Sequence, residues 1–207
     1  MKAYPRPPDH FDLSPKLVES TGTRIFYRFN PAGYKACLYF SKKNAYRFDD
    51  PDKRFGVFYA AVQPDAAFAE TYGHDMSELP NDLHKIVSEH ELEQRHVFML
   101  GIKALRLAMF CGEGLPVLNL DGNICTMPDY EIPQHWAQWT YRHPNQYDGI
   151  LYYSRHLPSI DCIALFERAK GKVVSEKDLG SALAFQHPRT GKTIFDILEA
   201  QGWAVVS

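Results

Sequence analysis

Residues 46–71, YRFDDPDKRFGVFYAAVQPDAAFAET, leave the backbone few alternatives. Pro51 breaks the chain in an acidic turn, residues 55–61 are aromatic and short enough for a strand, and Pro64 can open a helix because its missing N–H is an orphan there anyway. Turn, strand, tight connection and helix are therefore predicted in that order. On the helix, Ala66, Ala67 and Ala69 give a narrow surface that packs close. Asp65 suits a first turn, where the helix dipole favours an acid. Glu70 has no such explanation, so it needs either solvent or a function.

The rest of the chain alternates without a regular rhythm. Residues 1–20 carry Pro5, Pro7, Pro8 and Pro15 and are expected to run as an extended arm along the domain. Residues 23–30, TRIFYRFN, are dense in aromatic and branched side chains and end at a turn signal of Asn30, Pro31 and Gly33, which predicts a strand. Arg24, Phe26 and Arg28 share one of its faces, and a solvated sheet face accounts for the two arginines without any function. Further strands are predicted over 38–40, 96–102, 105–110, 149–155, 162–166 and 203–206, with helices over 82–90, 133–141 and 193–200. Trp136 and Trp139 read as core residues of the second of these helices. This mixture predicts an α+β fold with mixed or antiparallel sheets flanked by helices. With 207 residues and 45% hydrophobic content, one substantial core and a single domain over 21–207 follow the arm.

A net charge of −2 gives no support to a broad cationic surface for nucleic acid. No stretch approaches the roughly 20 apolar residues of a membrane helix, so a cytoplasmic protein with no membrane or direct nucleic-acid partner is expected. Cys37, Cys111, Cys125 and Cys162 are scattered, with no CxxC pair, and suit reduced buried thiols. Gly191, Lys192 and Thr193 imitate the end of a phosphate loop, but Gln186 stands where its first glycine belongs, and a helix start is the better reading. His90 and Glu91 open like a zinc-protease helix, yet His96 comes two residues too late. Asp49, Asp50 and Asp52 surround Pro51 and read as a capped turn rather than a calcium loop. No metal is expected.

What survives is an ordered set: Arg28 on an early strand, Arg47 beside Phe48, Tyr59, Glu70, and a late YDGILYYSR carrying Ser154. This order resembles the RES domain family, named for an arginine, a glutamate and a serine, whose members are toxins paired with Xre-type antitoxins. The resemblance covers about residues 24–166. It implies a fold similar to the ADP-ribosyltransferase domains of diphtheria-type toxins and an activity on NAD. The bond between nicotinamide and ribose would be broken by hydrolysis or phosphorolysis, and transfer of ADP-ribose to a protein is the nearest alternative. A non-catalytic binding module is a third reading, and homo-oligomerisation stays open. Carried over by position, the candidate site is Arg28, Arg47, Tyr59, Glu70 and Ser154. Phe29 follows Arg28 where some members have tyrosine, which keeps a stacking face without the hydroxyl. Tyr46 precedes Arg47 where glycine is usual.

The chemistry implied by the resemblance asks for these residue types. Glycosidic cleavage passes through an oxocarbenium-like state that a carboxylate such as Glu70 can stabilise. Nicotinamide is attached through its own cationic ring nitrogen and departs neutral, so a second, protonated carboxyl is unnecessary. A pyrophosphate suits the bidentate charged donors Arg28 and Arg47. Tyr59 can stack on the nicotinamide ring, and Ser154 at a strand end can bond a phosphate or the amide. Without the family, Tyr59 reads as core, Glu70 as a solvated helix residue, Arg47 as a partner for Asp49 or Asp50, and Ser154 as a turn residue.

Overall fold

Thr23–Pro31 does form a strand, and it lies deep in a sheet rather than at an edge. The computed structural model describes residues 4–34, 36–73 and 85–207. In chain order they form β1 (Leu17–Glu19), β2 (Thr23–Pro31), β3 (Val57–Ala61), α1 (Pro64–Tyr72), β4 (Lys85–Ser88), α2 (Glu89–Glu93), β5 (Arg95–Lys103) and β6 (Arg106–Met109). Two single-turn helices, α3 (Gly114–Val117) and α4 (Asn123–Thr126), precede α5 (Glu131–Arg142), β7 (Gly149–Tyr153), β8 (Asp161–Phe166), β9 (Val173–Ser181), α6 (Ile194–Ala200) and β10 (Trp203–Val206). Eight strands make one sheet in the order β1-β6-β7-β8-β3-β2-β5-β9, and β10 pairs with β4 in a second, parallel pair. Within the large sheet β6 and β7 run parallel and every other neighbouring pair antiparallel, the mixed α+β arrangement expected.

Both faces of the sheet are covered. Alternate residues of β2 divide between two cores, as a period of two requires: Tyr27 and Phe29 face the side packed by α1, α5 and α6, while Phe26 joins Phe58, Leu100 and Ile163 on the other. The face carrying Arg24 and Arg28 is therefore packed by a second core, with the Arg24 side chain at its margin still 34% exposed. Phe26 is fully buried, with the Arg24 guanidinium 5.6 Å above its ring. The proline-rich arm runs along α5: the Trp136 and Trp139 indole N–H groups donate to the carbonyls of Pro5 and His10, and the Tyr147 hydroxyl donates to that of Pro15. Both tryptophans are core residues.

Three local expectations change. Residues 38–40 form no strand; Ser41 alone bridges to Val57, while Phe40 packs on Phe58. The helix expected over 82–90 falls partly outside the described residues. Within them, Lys85–Ser88 is a strand recruited by β10, and a Ser88–Glu91 capping box starts α2 after it. The nine-residue edge strand β9 has no counterpart among the expected elements. The glycine-lysine-threonine stretch is a helix start, with Thr193 and Asp196 closing a capping box.

Candidate active site

The site begins where β2 and β3 part. They share one register pair, Tyr27 with Ala61, although β2 pairs along its whole length with β5 and β3 along its whole length with β8. Arg28 fills the opening. Its Nη1 donates to the Tyr59 carbonyl at 3.1 Å, its Nε donates to Asn30 Oδ1 at 2.9 Å, and its guanidinium lies 4.6 Å from the Phe58 ring centroid. The wedge widens into a cleft of about 340 Å³ lined by both strands, α1, the 39–47 segment and the 155–156 turn.

Glu70 reaches this cleft from α1, whose alanine face packs the helix against the sheet. One of its oxygens, Oε1, accepts from Ser154 Oγ at 2.7 Å and from the Arg155 backbone N–H at 3.0 Å. Ser154 Oγ also accepts from the N–H groups of His156 and Leu157, which folds the turn after β7 around it. Ser154, expected to bond a ligand, is 1% exposed, and its hydroxyl is directed at Glu70.

Arg47 is 8% exposed, and its partners are not the neighbouring aspartates. Its Nη1 donates to the Met127 carbonyl at 2.7 Å and its guanidinium lies 4.7 Å from the Tyr130 ring centroid. Asp50 instead caps the turn, accepting from the N–H groups of Asp52, Arg54 and Phe55. Tyr59 is half-buried on the cleft floor, edge-on to Tyr46 at 5.7 Å, with its hydroxyl donating to Asp49 Oδ1 at 2.9 Å. Phe29 belongs to the wall, with its largely buried ring in T-shaped contact with Phe68 and Tyr72.

Sequence reasoning missed the full charge of the cleft. Besides Arg28 and Arg47 it is lined by Lys43, Arg95 and Arg155, against the single carboxylate of Glu70. Among the described residues none of these five cations has a carboxylate within ion-pairing distance, although ion pairs occur elsewhere on the protein. Burial pulls the Arg28 and Arg47 guanidinium groups below their ordinary range, and repulsion from Arg155 adds to the effect at Arg47. Arginine remains charged nonetheless. Guanidinium groups crowded around a cavity without carboxylate partners make it chemically suited to an anion. The signal for Arg155 lay beside Ser154 in the same motif; nothing local in the sequence marks Lys43 or Arg95.

Fold and cleft together define an α+β domain with a cation-lined cavity around one oriented glutamate. The chain belongs to the RES domain family, which matches residues 22–187. In structure it is similar to a chain of the M. tuberculosis MbcT–MbcA toxin–antitoxin complex, with a TM-score of 0.57 and 16% identity over 80% of this chain and 88% of that one. No curated protein matches the chain.

Proposed function

We propose that this protein is a toxin enzyme that cleaves NAD between nicotinamide and ribose and is restrained by an Xre-type antitoxin in the cytoplasm. The observation that carries the reading is the set of five cleft cations around the oriented Glu70 carboxylate, none with a carboxylate within ion-pairing distance among the described residues. Such a cavity suits a dinucleotide, whose pyrophosphate carries two negative charges beside a ribose.

In this reading Arg28 and Arg47 hold the pyrophosphate, Tyr59 faces the nicotinamide ring, and Glu70 lies against the ribose. As the bond from ribose C1′ to the nicotinamide nitrogen breaks, its electron pair neutralises the pyridinium and positive charge develops on the ribose. Glu70, held in one orientation by Ser154 and the Arg155 N–H, stabilises that charge without reorganising. An oxygen nucleophile, water or phosphate, then adds at C1′ and loses its proton to solvent. No step requires a metal. Exposed Tyr34, Tyr39 and Tyr46 at the cleft mouth offer aromatic area of the kind protein interfaces favour, which supports a partner that covers the opening.

The competing reading, transfer of ADP-ribose to a protein, uses the same cleft and differs in the acceptor. Incubation with NAD labelled in the adenosine half separates the two. Free labelled ADP-ribose or its 1-phosphate, with stoichiometric nicotinamide, is the expected result. Label retained on protein would transfer the assignment to the transferase, and intact NAD would remove both.

A further inference from the structure

The cleft that suits a pyrophosphate should repel the other half of the same ligand. An oxidised nicotinamide ring is a cation, and five cations line the cavity. The mechanism uses one negative group, Glu70, but a second carboxylate lies beneath the floor. Asp49 is fully buried, and among the described residues no lysine or arginine pairs with it. Its Oδ2 accepts from the N–H groups of Ala45 and Tyr46 at 2.9 and 3.1 Å, and its Oδ1 accepts from the Tyr59 hydroxyl at 2.9 Å. That hydroxyl in turn accepts from the Phe48 N–H at 3.0 Å. One side chain thus closes the turn that carries Arg47 and fixes the ring of Tyr59.

Burying a carboxylate without a cation is costly, and burial raises the Asp49 carboxyl above its usual range. Three donors take up both carboxylate oxygens, more than the single acceptor oxygen of an asparagine could satisfy, and the charge that comes with them has a further use at this position. A phenol bonded to a carboxylate is polarised by it, and a more electron-rich ring attracts a cation more strongly.

We propose that Asp49 is a positioning residue which orients Tyr59 and, through the Tyr59 ring, selects a ligand whose aromatic ring is cationic over the same ligand with a neutral ring. The inference rests on the dinucleotide reading. It predicts that the cleft distinguishes oxidised from reduced nicotinamide dinucleotide by ring charge, and that the distinction depends on Asp49 although Asp49 does not line the cleft.

The test is calorimetric titration of oxidised and reduced dinucleotide into Glu70→Gln protein, which should bind without turnover, and into the same protein carrying Asp49→Asn, Tyr59→Phe or both. Asp49→Asn is expected to reduce the oxidised-to-reduced affinity ratio by about threefold to tenfold, the size of one cation–π contact, with binding of the reduced form little changed. Tyr59→Phe should do the same, and the double variant should add nothing to either single change. An unchanged ratio in folded Asp49→Asn, or an equal loss for both forms, overturns the inference while leaving the dinucleotide reading intact. Should Asp49→Asn fail to fold, Tyr59→Phe decides alone, an unchanged ratio again overturning it. Protein that binds neither form in the Glu70→Gln background removes the dinucleotide reading and this inference with it.

Discussion

At the scale of single residues, the carboxylate of Glu70 owes its direction to a buried serine hydroxyl and a backbone N–H. Two donors converge on Oε1, and one of them, Ser154, is itself pinned by two backbone N–H groups. A hydrogen bond to a charged group contributes about 1.5–3 kcal/mol, so its loss from a transition-state carboxylate corresponds to about tenfold to a hundredfold in rate. Ser154→Ala is accordingly expected to lower kcat by that factor with KM nearly unchanged, measured as steady-state NAD cleavage. A rise in KM at constant kcat would mean that the hydroxyl binds ligand directly. Arg28, Arg47, Tyr59 and Glu70 were legible in the sequence through motif order, and the structure gathers all four at one cleft. The burial of Asp49 was not, because a buried acid in an acidic turn looks the same on paper as a solvated one. Lys43 and Arg95 were invisible for a related reason: they stand far apart in the chain, one in the 39–47 segment and one at the start of β5, and line one cavity only in the folded protein.

At the scale of elements, the strand-turn-helix block from β3 to α1 follows directly from Pro64, the aromatic run before it and the alanines after it. The block depends on a close approach at its far end. A Cβ placed on Gly73, the residue capping α1, would lie 2.5 Å from the Ala69 carbonyl oxygen and 2.7 Å from His156 Nε2. The turn that holds Ser154 packs against this position, so Gly73→Ala must displace either the helix end or the turn. A loss of about 1–3 kcal/mol is expected from such overpacking, read from denaturant midpoints, together with a fall in NAD cleavage as Ser154 moves from Glu70. Full stability and activity would show that the two segments move apart freely. The strands missed from sequence have a common physical character. In β9 five consecutive residues are exposed, so no alternation betrays the strand, and only the β5 edge specifies it. β4 likewise exists because Trp203–Val206 lies beside it, a pairing across more than a hundred residues that no local pattern encodes.

At the scale of the whole molecule, the two cores bury all four cysteines, and the predicted reduced thiols are consistent with that placement. Burial pushes the thiols of Cys37, Cys111 and Cys125 from 9.0 up to about 12. In the unfolded chain these groups ionise near their ordinary value, so between about 9 and about 12 the folded state holds more protons than the unfolded state. Stability from the neutral thiols is therefore fully present at neutral pH and is lost as pH rises through that window. The expected result is a Tm that is flat near neutrality and falls progressively above about pH 9, with thiol alkylation slow until unfolding. Rapid alkylation of native protein at pH 8 would contradict this burial. The cation-lined cleft and the oriented carboxylate bear on the central proposal, that Glu70 stabilises positive charge developing on a ribose. NAD consumption by the purified protein beside its Glu70→Gln variant tests that claim most directly. The account expects steady loss of NAD by the parent and at least about a hundredfold less by the variant, equivalent to roughly 2.7 kcal/mol of transition-state stabilisation, with dinucleotide binding retained. Equal rates in the two proteins, or no consumption by either, would contradict it.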